Sequence, residues 1–347
     1  MNRYHIKTAF IFLLLVFMSV QVFGQTSLQG GKGLFRVLDA GNLRPGMFYG
    51  NAYLLSYFKT PTDSASRSIK DHTFAMGFTL ALTKSVELVG QLVPYQDDQQ
   101  SWWGPPGNIT LGLKTRIAGT RTSDFGLMAG YVIPTGIDGP VAFEPYMSGE
   151  QGWKLLMLGA FDLRRSIPTV PMKLHLNIGY FDQNIRDRYF QDKNDQLLLG
   201  AALKFPIRSA LFYTEFTGEI FLNNPDVKFM ENSLRLTQGF RFIGPGNLIF
   251  DFAFDLGLDK QYNGENPPYV QDYANWKINF GISYQKRMFR PLSKEEKRKR
   301  KIREQEAKKL EEIRKQREKA TQDLERMKKE LEKEKQKEKE KDQIPMP

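Results

Sequence analysis

The sequence predicts an all-β transmembrane fold: a twelve-stranded antiparallel up-and-down barrel followed by a long charged C-terminal α-helix. Three observations predict it. The last β-type run puts Trp276, Ile278, Phe280, Ile282 and Tyr284 on one face and Lys277, Asn279, Gly281 and Ser283 on the other. Successive side chains of a strand point to opposite faces, so one face is apolar and the other polar or small. Such runs recur about a dozen times, and the connections between them alternate long and short, as barrels with long outer loops and short inner turns require. The chain also opens with an export signal, and no later run approaches the ~20 apolar residues of a transmembrane helix.

Residues 1–24 read as a secretory signal peptide. Arg3, His5 and Lys7 form its basic start, and Ala9 to Val20 its apolar core. Cleavage is expected before Gln25. The chain contains no Cys, so it has neither disulfides nor thiolate metal sites. Residues 25–43 form a short lead containing Gly30, Gly31 and Gly33. They are expected to lie in the periplasm.

The barrel is expected over residues 44–290. Its strands read as 44–58, 70–82, 85–95, 107–118, 123–134, 152–164, 171–182, 195–206, 209–222, 231–243, 246–258 and 274–287. Several phase cleanly: Phe74, Met76, Phe78 and Leu80 oppose Thr73, Ala75, Gly77 and Thr79. Phe252 and Phe254 face lipid in this phase, while Asp251, Ala253 and Asp255 face inward. Arg at Ala253 is therefore expected to be tolerated far better than Arg at Phe252. Two strands break the pattern. The first carries Tyr49, Tyr53 and Tyr57 opposite Phe48 and Leu54, and the sixth has Leu156 and Leu158 out of phase. An even strand count returns both chain ends to the periplasm. Aromatics near the long loops (Phe58, Tyr95, Trp102, Trp103, Trp153) fit an interfacial girdle.

On these features the chain resembles the broad, porin-like class of bacterial outer-membrane β-barrel proteins over residues 44–287. The resemblance includes an aromatic-rich final strand, Trp276 to Tyr284, like the one the barrel-assembly machinery recognises in that class. It implies a Gram-negative outer-membrane location, with outer-membrane lipid and the assembly machinery as partners. Here the final strand is followed by further chain, unlike the simplest porin pattern.

The inward phase collects Glu87, Lys114, Arg116, Lys154, Asp162, Lys173, His175 and Lys204 from the first eight strands. Glu215, Glu219, Arg235, Arg241, Asp251, Asp255, Lys277 and Asn279 follow from the last four. These groups line a narrow polar pore, or they pair across the barrel and close it as a structural protein. Twelve strands lie between the filled eight-stranded and the open sixteen-stranded cases. An open lumen with this set would prefer anions weakly.

Catalytic chemistry has thin support, and no enzyme is expected. A lipid hydrolase would need a Ser–His pair on the lipid-facing rim. His72 phases outward there beside Asp71, but no G-x-S-x-G setting is present. The acidic loop Asp182–Asp195 lacks EF-hand spacing, so no metal is expected, nor any cofactor.

Residues 291–347 change character. From Lys294 to Asp342 there are 21 Lys and Arg against 15 Asp and Glu, a net +6. Taking this and the signal's +2 from the chain's +11 leaves +3 for lead and barrel. Pro291 ends the barrel, and Ser293 with Glu296 forms a capping box. Glu precedes Lys by four at Glu304–Lys308, Glu311–Lys315 and Glu325–Lys329, each pair adding roughly 0.2–0.5 kcal/mol. About 50 helical residues would make a rod of roughly 75 Å. Leu310, Ile313, Leu324, Met327 and Leu331 follow the spacing of a short coiled-coil seam. The reading is a periplasmic helix or coiled coil that either self-associates or tethers the barrel to peptidoglycan or a periplasmic protein. Compartment excludes nucleic acid despite the basic count.

Overall fold

Twelve strands hydrogen-bond in one unbroken ring. The computed structural model describes residues 26–59, 69–98, 103–136, 141, 143–144, 146–165, 171–187, 192–207, 210–225, 227–258 and 274–290, and in the tail 302, 305–306, 308–312 and 315. The first six strands are β1 (Met47–Lys59), β2 (Ile69–Ala81), β3 (Val86–Gln96), β4 (Ile109–Gly119), β5 (Ser123–Ile133) and β6 (Gly152–Asp162). The last six are β7 (Lys173–Asp182), β8 (Gln196–Ile207), β9 (Ala210–Phe221), β10 (Ser233–Ile243), β11 (Leu248–Gly257) and β12 (Trp276–Arg287). Each pairs antiparallel with its sequence neighbours, and β1 pairs with β12 from Met47↔Arg287 to Ser56↔Ile278. Closure leaves no open edge, the condition lipid imposes on a spanning sheet. The largest departure from the sequence-read bounds is at the start of β1, where 44 becomes Met47.

The two faces separate by burial. Phe252 is 44% exposed and Phe254 40%, whereas Asp251 is 2% and Asp255 3% exposed. The same inversion runs through β12, where Ile278 and Ile282 are exposed and Asn279 and Ser283 are buried. A water-soluble protein would hide the aromatics and show the carboxylates. The outer aromatics of β10 to β12 pack on one another: Phe242 stacks on Phe250 at 5.1 Å and Phe252 meets Phe280 at a tilt at 4.9 Å, between ring centroids.

The connections sort by length. Short turns 82–85, 120–122, 208–209 and 244–247, with the somewhat longer 163–172, lie at one end of the barrel; long connections 60–68, 97–108, 134–151, 183–195, 222–232 and 258–275 lie at the other. Two of the long connections, 60–68 and 258–275, fall largely outside the described residues.

The expected periplasmic lead is a correction. Residues 26–43 enter the barrel and pack inside it from the short-turn rim to mid-barrel. Leu34, Phe35, Val37, Leu38 and Ala40 are at most 1% exposed. Leu34, Phe35 and Val37 join inward Tyr53, Leu55, Leu211, Tyr213 and Ala253 in one buried cluster. Leu38 and Ala40 join Val89, Met128, Leu156 and Leu158 in a second. The two strands that break alternation are thereby explained. Their inward apolar groups meet this apolar segment rather than water, and burying each such side chain fully is worth roughly 1.5–3 kcal/mol. Gly30 lets the segment lie against the wall. Its φ is +79°, and a Cβ there would sit 2.9 Å from the Gly90 carbonyl oxygen.

Pro291–Pro347 form a second unit. Residues 302, 305–306, 308–312 and 315 are helical, and Lys315 Nζ lies 3.0 Å from Glu311, the expected i,i+4 pair. Leu310 is 67% exposed. The rest of the proposed seam (Ile313, Leu324, Met327, Leu331) and the signal peptide lie outside the described residues.

Candidate functional site: a plugged lumen with a chamber above the plug

The inward charges of the strands are organised around the N-terminal segment. Glu215, on β9, accepts the backbone N–H of Arg36 at 2.9 Å and of Val37 at 3.0 Å. Asn177, on β7, accepts from Leu38 N at 2.7 Å and donates to Leu38 O at 3.0 Å. Arg241 Nη1 donates to Gly33 O at 3.2 Å and its Nε to Asp251 at 3.0 Å. On the facing wall, Lys114 Nζ donates to Gly41 O at 2.6 Å and pairs with Glu87 at 3.1 Å. Glu87 also accepts the backbone N–H groups of Lys32 and Leu43. A short irregular segment leaves many backbone groups unpaired, and burial without partners would be costly. The strand side chains supply those partners.

The segment's own charges are paired as well. Arg36 makes a bidentate contact with Asp255, at 2.9 and 2.7 Å, and donates to Thr237. Lys32 pairs with Asp39 at 3.0 Å, and the His175 Nδ1 lies 3.9 Å from Asp39. Lys204, on β8, faces the same region, within electrostatic reach of Asp39. Asn279 is 1% exposed on the inner wall of β12.

At the short-turn rim the remaining groups pair locally. Arg116 Nε donates to Asp124 at 2.8 Å, and Asp162 pairs with Arg164 and, at 3.7 Å, with Lys173. These rim residues are partly exposed, and Asp124 also lies close to Gly41 of the plug.

Above the plug is a cavity of about 260 Å³. Leu28, Gln29, Arg36 and Val37 of the N-terminal segment form its floor, and Phe143, Glu144 and Tyr146 of the β5–β6 connection form its roof. Lys154, Glu219, Arg235 and Lys277 carry its wall charges, among apolar wall residues such as Leu55, Val93, Leu156 and Phe181. The roof is pinned by a buried cluster. Lys277 Nζ donates to Glu144 at 2.6 Å and lies 2.9 Å from Asp71, and the Thr73 hydroxyl donates to Glu144. The sequence reading missed this infolded connection and the plug. The signal for the plug was present in the inward apolar residues of the first and sixth strands. Glu144 gave none, since its role depends on a fold-back that only the closed ring defines.

The rim His72 does find a serine: its Nδ1 lies 3.0 Å from Ser56 Oγ, directly across the β1–β2 pair. Asp71, its sequence neighbour, turns inward to Lys277 instead. Among the described residues nothing orients the second ring nitrogen, and a working nucleophile–base pair needs that third group. Among them, too, no cluster of His and carboxylate residues could hold a metal.

The closed strand order, the lipid-type outer face and the polar inner face define an outer-membrane β-barrel. No protein-family model matches the chain, and no curated protein sequence matches it. Among solved structures it is similar to a KdgM porin, at 6% identity over 68% of this chain and 98% of that one, TM-score 0.43. It is also similar to a TodX monoaromatic hydrocarbon channel, at 8% identity over 77% of this chain and 96% of that one, TM-score 0.41. A CymD monoaromatic hydrocarbon channel matches at 10% identity over 72% of this chain and 90% of that one, TM-score 0.37. Scores this low decide neither the fold nor a ligand; the barrel rests on its own strand order.

Proposed function

We propose that this protein is a non-enzymatic outer-membrane solute channel held shut by its own N-terminal segment. The observation that carries the reading is residues 26–43 inside the lumen, clamped by Glu215, Asn177, Glu87 and Lys114, beneath a chamber roofed by an infolded loop. A plug without a chamber would suit a purely structural barrel. A chamber between plug and loop is where a solute would wait, with the loop end outward and the plug end in the periplasm. Passage then requires the plug to shift. Its clamps are hydrogen bonds and ion pairs rather than covalent links, so release is reversible.

The test is electrical. Mature protein in a planar bilayer should conduct little, and a variant lacking residues 27–41 should show sustained conductance steps. Equal, negligible conductance from both, with the shortened variant still shifting mobility on an unheated gel, would leave a structural barrel.

The tail supports a second role on the same molecule. A helical, basic extension in the periplasm would tether the barrel to peptidoglycan or to a periplasmic protein; the Glu311–Lys315 pair and the +6 charge favour this. Removing residues 294–347 should leave a heat-modifiable barrel and abolish co-sedimentation with peptidoglycan. That co-sedimentation should itself vanish in about 1 M salt, where the Debye length is ~3 Å. Failure of the intact protein to co-sediment at low salt would leave self-association through Leu310 and Leu324, testable by cross-linking Leu324→Cys.

A further inference from the structure

We propose that the luminal chamber binds a small amphipathic monoanion, a carboxylate on a single ring or a compact branched body, with Lys154 as its counter-ion. The proposal rests on the plug-gated reading above and names the class of solute that chamber takes.

The chamber's charges are not equivalent. Arg36 is matched by Asp255, and Lys277 by Asp71 and Glu144. Arg235 has its own partner within the protein. Lys154 differs from these three cations. Among the described residues it forms no ion pair or hydrogen bond, and its ammonium lies 5.7 Å from the Phe181 ring centroid. It sits opposite Gly130 and Phe181 on the neighbouring strands and shares the inward face of β6 with buried Leu156 and Leu158. Glu219, the other carboxylate facing this space, lies beyond ion-pair distance of it. An ammonium withdrawn from bulk water whose facing carboxylate, Glu219, acts on it only from beyond ion-pair distance is incompletely compensated, and an anion in the chamber reduces that cost.

The rest of the chamber restricts what carries the anion. Leu55, Val93, Leu156 and Phe181 form an apolar flank for a ring or compact body, while Gln91, Gln96, Gln196 and Thr217 offer hydrogen bonds beside it. An engineered cavity of about 150 Å³ holds benzene. The chamber's volume of about 260 Å³ therefore accommodates one ring with a carboxylate.

The test uses the mature full-length barrel in detergent micelles and isothermal titration with benzoate, benzyl alcohol and benzylamine. Benzoate should bind about tenfold or more tighter than benzyl alcohol, equivalent to ~1.4 kcal/mol or more, and benzylamine weakest. Lys154→Met should erase the preference for benzoate, and Lys154→Arg should keep it. Both variants should retain the heat-dependent gel shift that reports a folded barrel. Equal binding of benzoate and benzyl alcohol, an undiminished preference in Lys154→Met, or no binding of any probe would each overturn the proposal. The channel reading fails separately: loss of the plug without conductance would remove it even if benzoate binds at Lys154.

Discussion

Replacing Glu87 with Leu should destabilise the folded barrel by about 3–5 kcal/mol, the cost of leaving a buried partner charge uncompensated. Glu87 and Lys114 are both fully buried, and their side chains lie 3.1 Å apart. In Glu87→Leu the Lys114 ammonium keeps only the neutral Gly41 carbonyl and Asn42 side-chain oxygen. The backbone N–H groups of Lys32 and Leu43 lose their acceptor in the same step. Reversible urea unfolding in detergent reads the change. The double variant Glu87→Leu/Lys114→Leu should recover much of the loss, because no uncompensated charge remains. A single-variant cost under about 1 kcal/mol would show that water reaches this pair, contrary to a packed plug.

Arg at Phe252 and Arg at Ala253 should fail in different ways. Phe252 is 44% exposed on the outer face and packs against Phe280, so Phe252→Arg places a charge in the bilayer at about 2–4 kcal/mol. The loss should appear as reduced folding into lipid vesicles. Sequence phase makes Ala253 a tolerant inward site between two carboxylates, and the fold corrects this. Ala253 is 7% exposed within the cluster that holds Phe35, Tyr53 and Tyr213. Its nearest inward carboxylates, Asp251 and Asp255, already pair with Arg241 and Arg36. Arg there has no room unless the plug leaves. Ala253→Arg should therefore still fold into lipid yet conduct in a planar bilayer as the plug-deleted protein does. A silent Ala253→Arg barrel that inserts normally would mean the plug tolerates the side chain, and the packing of Phe35 would need another account.

The twelve strands were legible because each depends on local pattern alone. A period of two in apolar residues fixes a strand, its two faces and its approximate ends, and loop lengths fix which end is which. The carboxylate–aromatic alternation of residues 250–256 needs no tertiary information. The chemistry of the lumen was legible only as a set of residue types. Glu215 and Arg241 read as pore lining, yet their partners are backbone atoms of residues 33–37, 178 and 208 positions away in sequence. Nothing in a Gly-rich lead with no periodicity says that it folds inward. Two strands did carry the trace: Tyr53 and Leu156 face inward where water would not favour them, and those departures are the wall of the plug site.

The sequence by itself thus determined the barrel, its phase, its closing strand and the charged break at Pro291, since propensity and period act over neighbouring residues. Only the tertiary structure decided what occupies the lumen. Closing the ring brings β3, β4, β7, β9, β10 and β11 around one short segment, and burial then pairs most of the inward charges there with the segment's backbone and side chains. Among the described residues it left Lys154 as the chamber cation without an ion pair, and it set Ser56 beside His72 without a third group. Both follow from register across strands, which no single stretch of chain contains.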